Sequence, residues 1–310
     1  MLIITDLQEL ACASLNKPCV LALGTFDGLH RGHVDVIKGA KDLAQERNCL
    51  LGVFTFSNHP LEVIRPEAVP AALVREEEKL ALLEGLGVEL LINLPFTRAM
   101  LQLEPEAFLE QLYSLGLGGI VVGENFTYGA QGRGNIASLK AAFTKWQLPL
   151  VVRPLVKAGE QIISSTLIRG LITAGQVKEA AALLGRPYSI AGRVVQGQQR
   201  GRLLGFPTAN IELAGAKYAI PAVGVYAVKA AVKGSYYLGM ANIGNNPTFG
   251  DVPEPRLEVH LLDFAGDIYG QNIIVEFVAH LRQQQAFSGL EQLKQQLAKD
   301  LQATRAAVKL

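Results

Sequence analysis

Up to about residue 185, short apolar runs alternate with stretches of helical spacing, and this alternation limits the fold more than any other feature of the chain. The strand candidates are Cys19–Phe26, Cys49–Phe56, Glu89–Phe96, Gly119–Phe126 and Leu148–Val156. Between them the apolar spacing predicts helices over His33–Arg47, Arg75–Leu86, Glu104–Leu115 and Ile136–Trp146. Glu104-Pro105-Glu106 has proline near the first helical position and acid in the first turn, as a helix start requires. Strands separated by single helices imply a parallel, doubly wound α/β sheet. One more helix is expected over residues 164–184, opened by Ser and Thr caps.

After Gly185-Arg186-Pro187 the texture changes to short β-rich runs, YSIAGRVV, YAVKAAV, YYLGMANI, LEVHLL and IIVEFVAHL, separated by Gly, Pro and Asn. Regular short strands with turn signals predict a small antiparallel barrel or sandwich. A polar, Gln- and Lys-rich helix from Gly289 to Ala306 closes the chain. The expected domains are therefore 1–186 and 187–310.

Bulk composition narrows the function classes. Lys plus Arg less Asp plus Glu is 29 − 28 = +1, too little for a broad duplex nucleic-acid footprint. The 3 cysteines, Cys12, Cys19 and Cys49, lack metal-ligand spacing and fit free thiols of a reducing cytoplasm. Asp6 and Glu9 stand where a signal peptide would be basic and apolar, and no apolar run approaches the ~20 residues that span a bilayer. A cytoplasmic protein is expected, and a homo-oligomer is compatible with the sequence.

The turn between the first strand and its helix reads GTFDGLHRGH, Gly24 to His33. It carries Gly24, Thr25, Phe26, Asp27 and Gly28 ahead of His30 and His33, which fall on one face of the first helical turn. Free backbone N–H groups and the positive dipole end suit an anion there, and the turn is suited to polyphosphate. A second helix start, ISSTLIR, offers the hydroxyls of Ser164, Ser165 and Thr166 and the forked charge of Arg169. Taken singly, HxxH is as readily a solvated pair or a metal half-site, and ISSTLIR is a capped helix. Neither a G-x-x-x-x-G-K-[ST] loop nor a well-placed GxGxxG is present.

In the β-rich half the densest stretch is GRVVQGQQRGRLLGFPTANI, Gly192 to Ile211. Gly197, Gly201 and Gly205 recur every four residues and suit a loop lying close to phosphates. On an extended segment Thr208 and Asn210 face one way, and their neutral oxygens suit Mg2+ that keeps water and phosphate ligands as well. In Leu257-Glu258-Val259-His260, Glu258 and His260 share a strand face.

GTFDGLHRGH with ISSTLIR resembles the HIGH-type nucleotidyltransferase superfamily, specifically the FAD synthetase module of prokaryotic bifunctional riboflavin kinase/FMN adenylyltransferases. FSNHP (Phe56 to Pro60) is similar to that family's FxPHP, and VGENFTYGAQGRGN (Val122 to Asn135) to its GxDFxFGxxxxG. Asn58 replaces a proline, and Asn125 stands where many members carry Asp. The stretch GRLLGFPTAN, with GVYAV (224–228), NIGNNPTFG (242–250) and LEVHLLDFAGDIYG (257–270), resembles riboflavin kinase of the same family.

The resemblance implies a Rossmann-like nucleotidyltransferase domain followed by a six-stranded β-barrel kinase domain with a C-terminal helix. It implies riboflavin, FMN and ATP as substrates and Mg2+ as cofactor, with no nucleic-acid or membrane partner. Phe56, His59 and Asn125 would meet flavin in the first domain, and Arg202 would join the glycine loop in binding ATP in the second. Glu258 would be the base that activates the ribityl hydroxyl; His30, His33 and Arg169 would serve adenylyl transfer. Two alternatives remain at this level: a C-terminal barrel that only binds or senses flavin, and an RNA-handling protein with a HIGH-type site.

Overall fold

The computed structural model describes residues 1–197, 205–213, 218–245 and 255–308, and packing divides the chain into two compact units. The first comprises Met1–Pro70 and Val74–Ser164; the second comprises Ala71–Leu73 and Ser165–Leu310.

The first unit is built on a six-stranded parallel sheet of β1 (Leu2–Ile4), β2 (Cys19–Leu23), β3 (Leu50–Phe56), β4 (Leu90–Leu94), β5 (Leu117–Gly123) and β6 (Leu150–Arg153). Its order is β1-β4-β3-β2-β5-β6. All residues of β2 and β4 are buried, because helices cover both faces of the sheet. Strand alternation divides the core accordingly. Val20, Ala22 and Val53 meet Val36, Ile37, Ala40 and Leu43 of the helix Arg31–Glu46, while Leu21, Leu23 and Phe54 share the opposite core with Phe108, Leu109, Leu139 and Phe143. Each of these Val, Leu, Ile and Phe side chains, fully buried, contributes about 1.5–3 kcal/mol.

The helix Ile136–Trp146 has the bounds expected of it, because Asn135 and Ser138 form a reciprocal capping box at its start. The sheet has one strand beyond the five candidates. Residues 2–4 are too few to show a period, yet they pair in register with Leu90–Ile92. A hairpin of β7 (Lys157–Ala158) and β8 (Gln161–Ile162) ends the unit.

In the second unit a closed antiparallel barrel runs in the order β10-β13-β12-β11-β14-β9. The strands are β9 (Tyr188–Val195), β10 (Ala209–Glu212), β11 (Gly224–Val232), β12 (Ser235–Asn245), β13 (Pro255–Leu261) and β14 (Asn272–Arg282). The sixth strand, β10, begins within PTAN at Ala209 and ends at Glu212, and its four residues carry no strand signal of their own. The C-terminal helix Leu290–Ala307 packs on β11, β12 and β14.

The helix expected over 164–184 is two helices, Ser165–Thr173 and Val177–Leu184. They part at Gly175, whose φ of +78° lets it and Gln176 cap the carbonyls of Ile172 and Leu171. A Cβ at Gly175 would lie 3.0 Å from the Tyr226 hydroxyl, so glycine also serves a close approach. The helix Val177–Leu184 packs on β14 and β9, which is why packing starts the second unit at Ser165 although the change in sequence texture falls near residue 186.

Candidate active sites

In the first unit the strand order reverses at β2. Its successors run to β3 and β4 on one side, then to β5 and β6 on the other. A crevice at the carboxyl ends of β2 and β5 is where such sheets bind ligands. Gly24–His33 follows β2, and Asn125 follows β5. The turn is tightly wound: Phe26, Gly28 and Leu29 all have positive φ, 47°, 79° and 43°. For Phe26 and Leu29 this costs on the order of 1 kcal/mol each. Thr55 Oγ1 donates to the Thr25 carbonyl at 3.0 Å, and Gly24 N–H to Phe54 O at 3.2 Å, tying the turn to β3. A Cβ at Gly24 would stand 3.0 Å from the Phe26 ring.

His30 caps the helix Arg31–Glu46, its Nδ1 accepting the His33 backbone N–H at 3.3 Å. The two imidazoles stack with centroids 3.6 Å apart, and the Phe26 ring meets His33 edge-on at 5.4 Å. Burial, and secondarily the charge of His30, holds the His33 pKa well below 6.5, so His33 is neutral. Its Nδ1 is buried without a hydrogen-bond partner.

Ser164 ends this unit beside the turn. The Ile163 carbonyl lies 3.9 Å from where a Cβ on Gly32 would be, and Ile163 N–H donates to Val156 O at 3.0 Å. Ser165, Thr166 and Arg169 belong to the second unit, where Arg169 Nε donates to Ala71 O at 2.6 Å. The segment Ala71–Leu73 joins that unit by a bridge of Ala72 to Tyr218.

At the end of β3, Phe56 meets Phe96 edge-on at 5.0 Å. Asn58, the departure from FxPHP, clamps Phe96 from both sides of its amide. It accepts from the Phe96 N–H at 2.7 Å and donates to the Phe96 carbonyl at 3.2 Å. His59 Nδ1 accepts the Leu61 N–H at 3.1 Å and starts the short helix Leu61–Ile64. Lys79, which the sequence does not mark, is buried in the same unit, and its Nζ donates to Phe56 O at 3.1 Å.

In the barrel, Glu258 stands directly opposite Asn210 on β10 and Asn242 on β12. Thr208, Asn242, Glu258, His260 and Arg282 line one cavity of about 640 Å³, with Met240, Phe287, Leu293 and Leu297 as apolar wall. A second cavity of about 560 Å³ is lined by Val194, Pro207, Thr208, Val259, Leu261, Phe264, Ile268 and Tyr269. Both volumes suit small-molecule sites. Thr208 lines both cavities, so a ligand in either can reach its side chain.

His260 Nδ1 bonds the Pro207 carbonyl at 2.8 Å, and its ring meets Phe206 at 5.2 Å. Since a carbonyl only accepts, that nitrogen carries the proton. Arg282 reaches Asp300 of the C-terminal helix with Nε at 3.0 Å and Nη2 at 2.8 Å, and its guanidinium carbon is 5.7 Å from the centroid of the Phe287 ring. Gly197 packs so closely on the Asn210 amide that no Cβ fits between them. Gly205 has a φ of +82°. Gly201 and Arg202 lie outside the described residues.

The family model described as FAD synthetase matches residues 12–167, and that described as riboflavin kinase matches residues 184–308. A protein of Bacillus subtilis named bifunctional riboflavin kinase/FMN adenylyltransferase is 40% identical over 288 residues, covering 91% of this chain and 90% of its own. A protein of the same name from Escherichia coli K12 is 37% identical over 285 residues, covering 91% and 90%. Among solved structures, one described as a macrolide-efflux protein from Streptococcus pneumoniae is 33% identical, with a TM-score of 0.91 over 98% of this chain and 99% of its own. Among the described residues no helix is long and apolar enough to cross a membrane.

Proposed function

The chain belongs to the family of bifunctional riboflavin kinase/FMN adenylyltransferases, and from that premise we propose how its residues divide the work. The enzyme phosphorylates riboflavin with ATP to FMN, then transfers an adenylyl group from a second ATP to FMN, giving FAD and pyrophosphate. The functional division is 1–186 for adenylyl transfer and 187–310 for the kinase.

In the kinase, the larger cavity takes riboflavin and the smaller takes the nucleotide, with the ribityl hydroxyl directed to Glu258. That hydroxyl is neutral, and a positioned base is worth ~10²–10⁴-fold. Glu258 removes its proton as the hydroxyl oxygen attacks the γ-phosphorus and ADP leaves. The row Asn210–Glu258–Asn242 is the observation that carries this reading. A barrel that only sensed flavin would need no carboxylate on the cavity wall. Thr208 and Asn210 supply hard, neutral oxygens that fit Mg2+, whose charge would offset that of the ATP phosphates. Gly197, Gly201, Arg202 and Gly205 complete the ATP contacts.

In the first unit the FMN phosphate is already an anion, so the site has only to align it and stabilise charge. Backbone N–H groups at Gly24–Gly28 and at the start of the helix Arg31–Glu46 meet the ATP phosphates. Neutral His33, with His30, contributes hydrogen bonds, and Ser164 a hydroxyl; for Ser165, Thr166 and Arg169, which belong to the second unit, the family resemblance alone supports a part in binding ATP. Phe56, His59 and Asn125 face flavin. The reactions run in the cytoplasm, in keeping with the free thiols of Cys12, Cys19 and Cys49.

The test is chromatography of riboflavin, FMN and FAD after incubation with MgATP. Glu258→Gln should lose most FMN formation from riboflavin and keep FAD formation from added FMN. His33→Ala and Arg169→Ala should accumulate FMN without FAD. Retained phosphorylation in the first variant, or retained FAD synthesis in the others, overturns the corresponding assignment.

A further inference from the structure

Lys79 is a charge for which the two reactions above have no use. It is 5% exposed, on the inner face of the helix Glu76–Gly85 beside buried Leu83. Its Nζ donates to the carbonyl of Phe56, the last residue of β3, at 3.1 Å and lies 3.5 Å from Glu76 Oε2. The other Glu76 oxygen accepts from Asn93 Nδ2 of β4 at 2.6 Å. The same helix packs against the 27–29 turn. Burial lowers the Lys79 pKa, while Glu76, by charge and hydrogen bond, and then the charge of Asp27 draw it back up. Its side chain thus ties the end of β3 to Glu76, which holds Asn93 of β4, on a helix that packs against the nucleotide turn.

A buried ammonium is retained at a cost in desolvation, which its partners must offset. The turn itself poses a problem that this charge answers. A site for polyphosphate contains a carboxylate, Asp27, whose charge alone would repel the ligand.

We propose that Lys79 is a positioning residue for adenylyl transfer, holding the Phe56 carbonyl and offsetting the charge of Asp27 so that the nucleotide turn accepts triphosphate. The role rests on the assignment of adenylyl transfer to the first unit. Phe56 begins the flavin-side segment and Asp27 sits in the nucleotide turn, so one group couples the two substrate positions.

The experiment uses full-length Lys79→Met and the double variant Asp27→Asn/Lys79→Met, with FAD formation measured against ATP and FMN. Lys79→Met should lower kcat/KM for ATP by about tenfold or more, while riboflavin phosphorylation by the same protein stays within about twofold. Removing the Asp27 charge as well should restore about fivefold of that loss, which a merely structural lysine would not allow. Lys79→Met within about twofold of wild type, or a double variant no better than the single, overturns the proposal. If Lys79→Met does not fold by the fluorescence of Trp146, Lys79→Gln, which keeps an N–H donor without charge, carries the same comparison. Loss of folding in both makes Lys79 a folding determinant only, and the proposal fails. Wild-type protein that forms no FAD refutes the reading of the unit as well.

Discussion

His30 and His33 lie ring on ring, 3.6 Å between centroids and 18° from parallel, while His30 Nδ1 holds the His33 backbone N–H. Two imidazolium ions cannot share that geometry without strong repulsion, and burial keeps His33 neutral. The unfolded chain takes up a proton on this residue near pH 6.5 that the folded unit refuses. More protons bound in the unfolded state mean that stability rises with pH; stability of the first unit therefore falls as pH drops below 6.5. The slope approaches ~1.4 kcal/mol per pH unit. Denaturant unfolding followed by Trp146, the chain's 1 tryptophan, reads it directly. His33→Asn should flatten the slope, and an unchanged slope would place the dependence on another group.

Asp300 ties the C-terminal helix to the barrel. It is 3% exposed, accepts from Arg282 and from Gln296 at 2.8 Å, and its carbonyl accepts from Thr304 Oγ1 at 2.9 Å. Asp300→Ala leaves the guanidinium beside an empty acceptor, a class of change that costs ~3–5 kcal/mol when both groups are buried. Arg282 keeps 19% of its side chain in water, so the lower end applies. Because Arg282, Leu293, Leu297 and Asp300 line the larger cavity, riboflavin affinity should fall together with the barrel's unfolding midpoint. Fluorescence titration with riboflavin checks the first and calorimetry the second.

Gly197 is required for contact rather than for flexibility alone. A methyl group there would overlap the Asn210 amide, a proposed Mg2+ ligand. Gly197→Ala should therefore raise the Mg2+ concentration giving half-maximal riboflavin phosphorylation, with FAD formation from added FMN unchanged. An unaltered Mg2+ dependence would remove Asn210 from the metal.

The cysteines should differ in reactivity. Cys12 is exposed, whereas Cys19 is fully buried, and burial followed by the charge of Cys49 pushes its pKa up to about 12. Only the thiolate reacts appreciably with alkylating agents. Peptide mass spectrometry after brief iodoacetamide treatment should find Cys12 modified and Cys19 untouched. Early labelling of Cys19 would mean that β2 opens in the native state.

The expected parallel sheet and its four intervening helices were legible because both rest on local periods and turn chemistry. The helix Ile136–Trp146 carries its stop and start signals in adjacent residues, so its ends could be read. Strand β1, three residues long, and β10, four, are too short to show a period; each exists through its partners. The break at Gly175 could be read as a helix end or as a tolerated glycine, and the approach of Tyr226 gives it a second reason. Asn58 looked like a departure from a motif, and its clamp on Phe96 depends on a residue 38 positions away.

By itself, then, the sequence determined the two architectures in outline and the place of Gly24–His33 as the turn between a buried strand and its helix. Each follows from neighbours along the chain, where spacing sets direction. Tertiary structure decided which distant groups meet: Asn210 and Asn242 on either side of Glu258, Arg282 on Asp300, and Lys79 on the Phe56 carbonyl. Those meetings depend on ladder register and on where helices pack, and neither register nor docking is encoded in any single stretch. They also decide charge. Burial keeps His33 neutral, and the Lys79 pKa is lowered by burial and drawn back up by Glu76, because of what surrounds them in three dimensions.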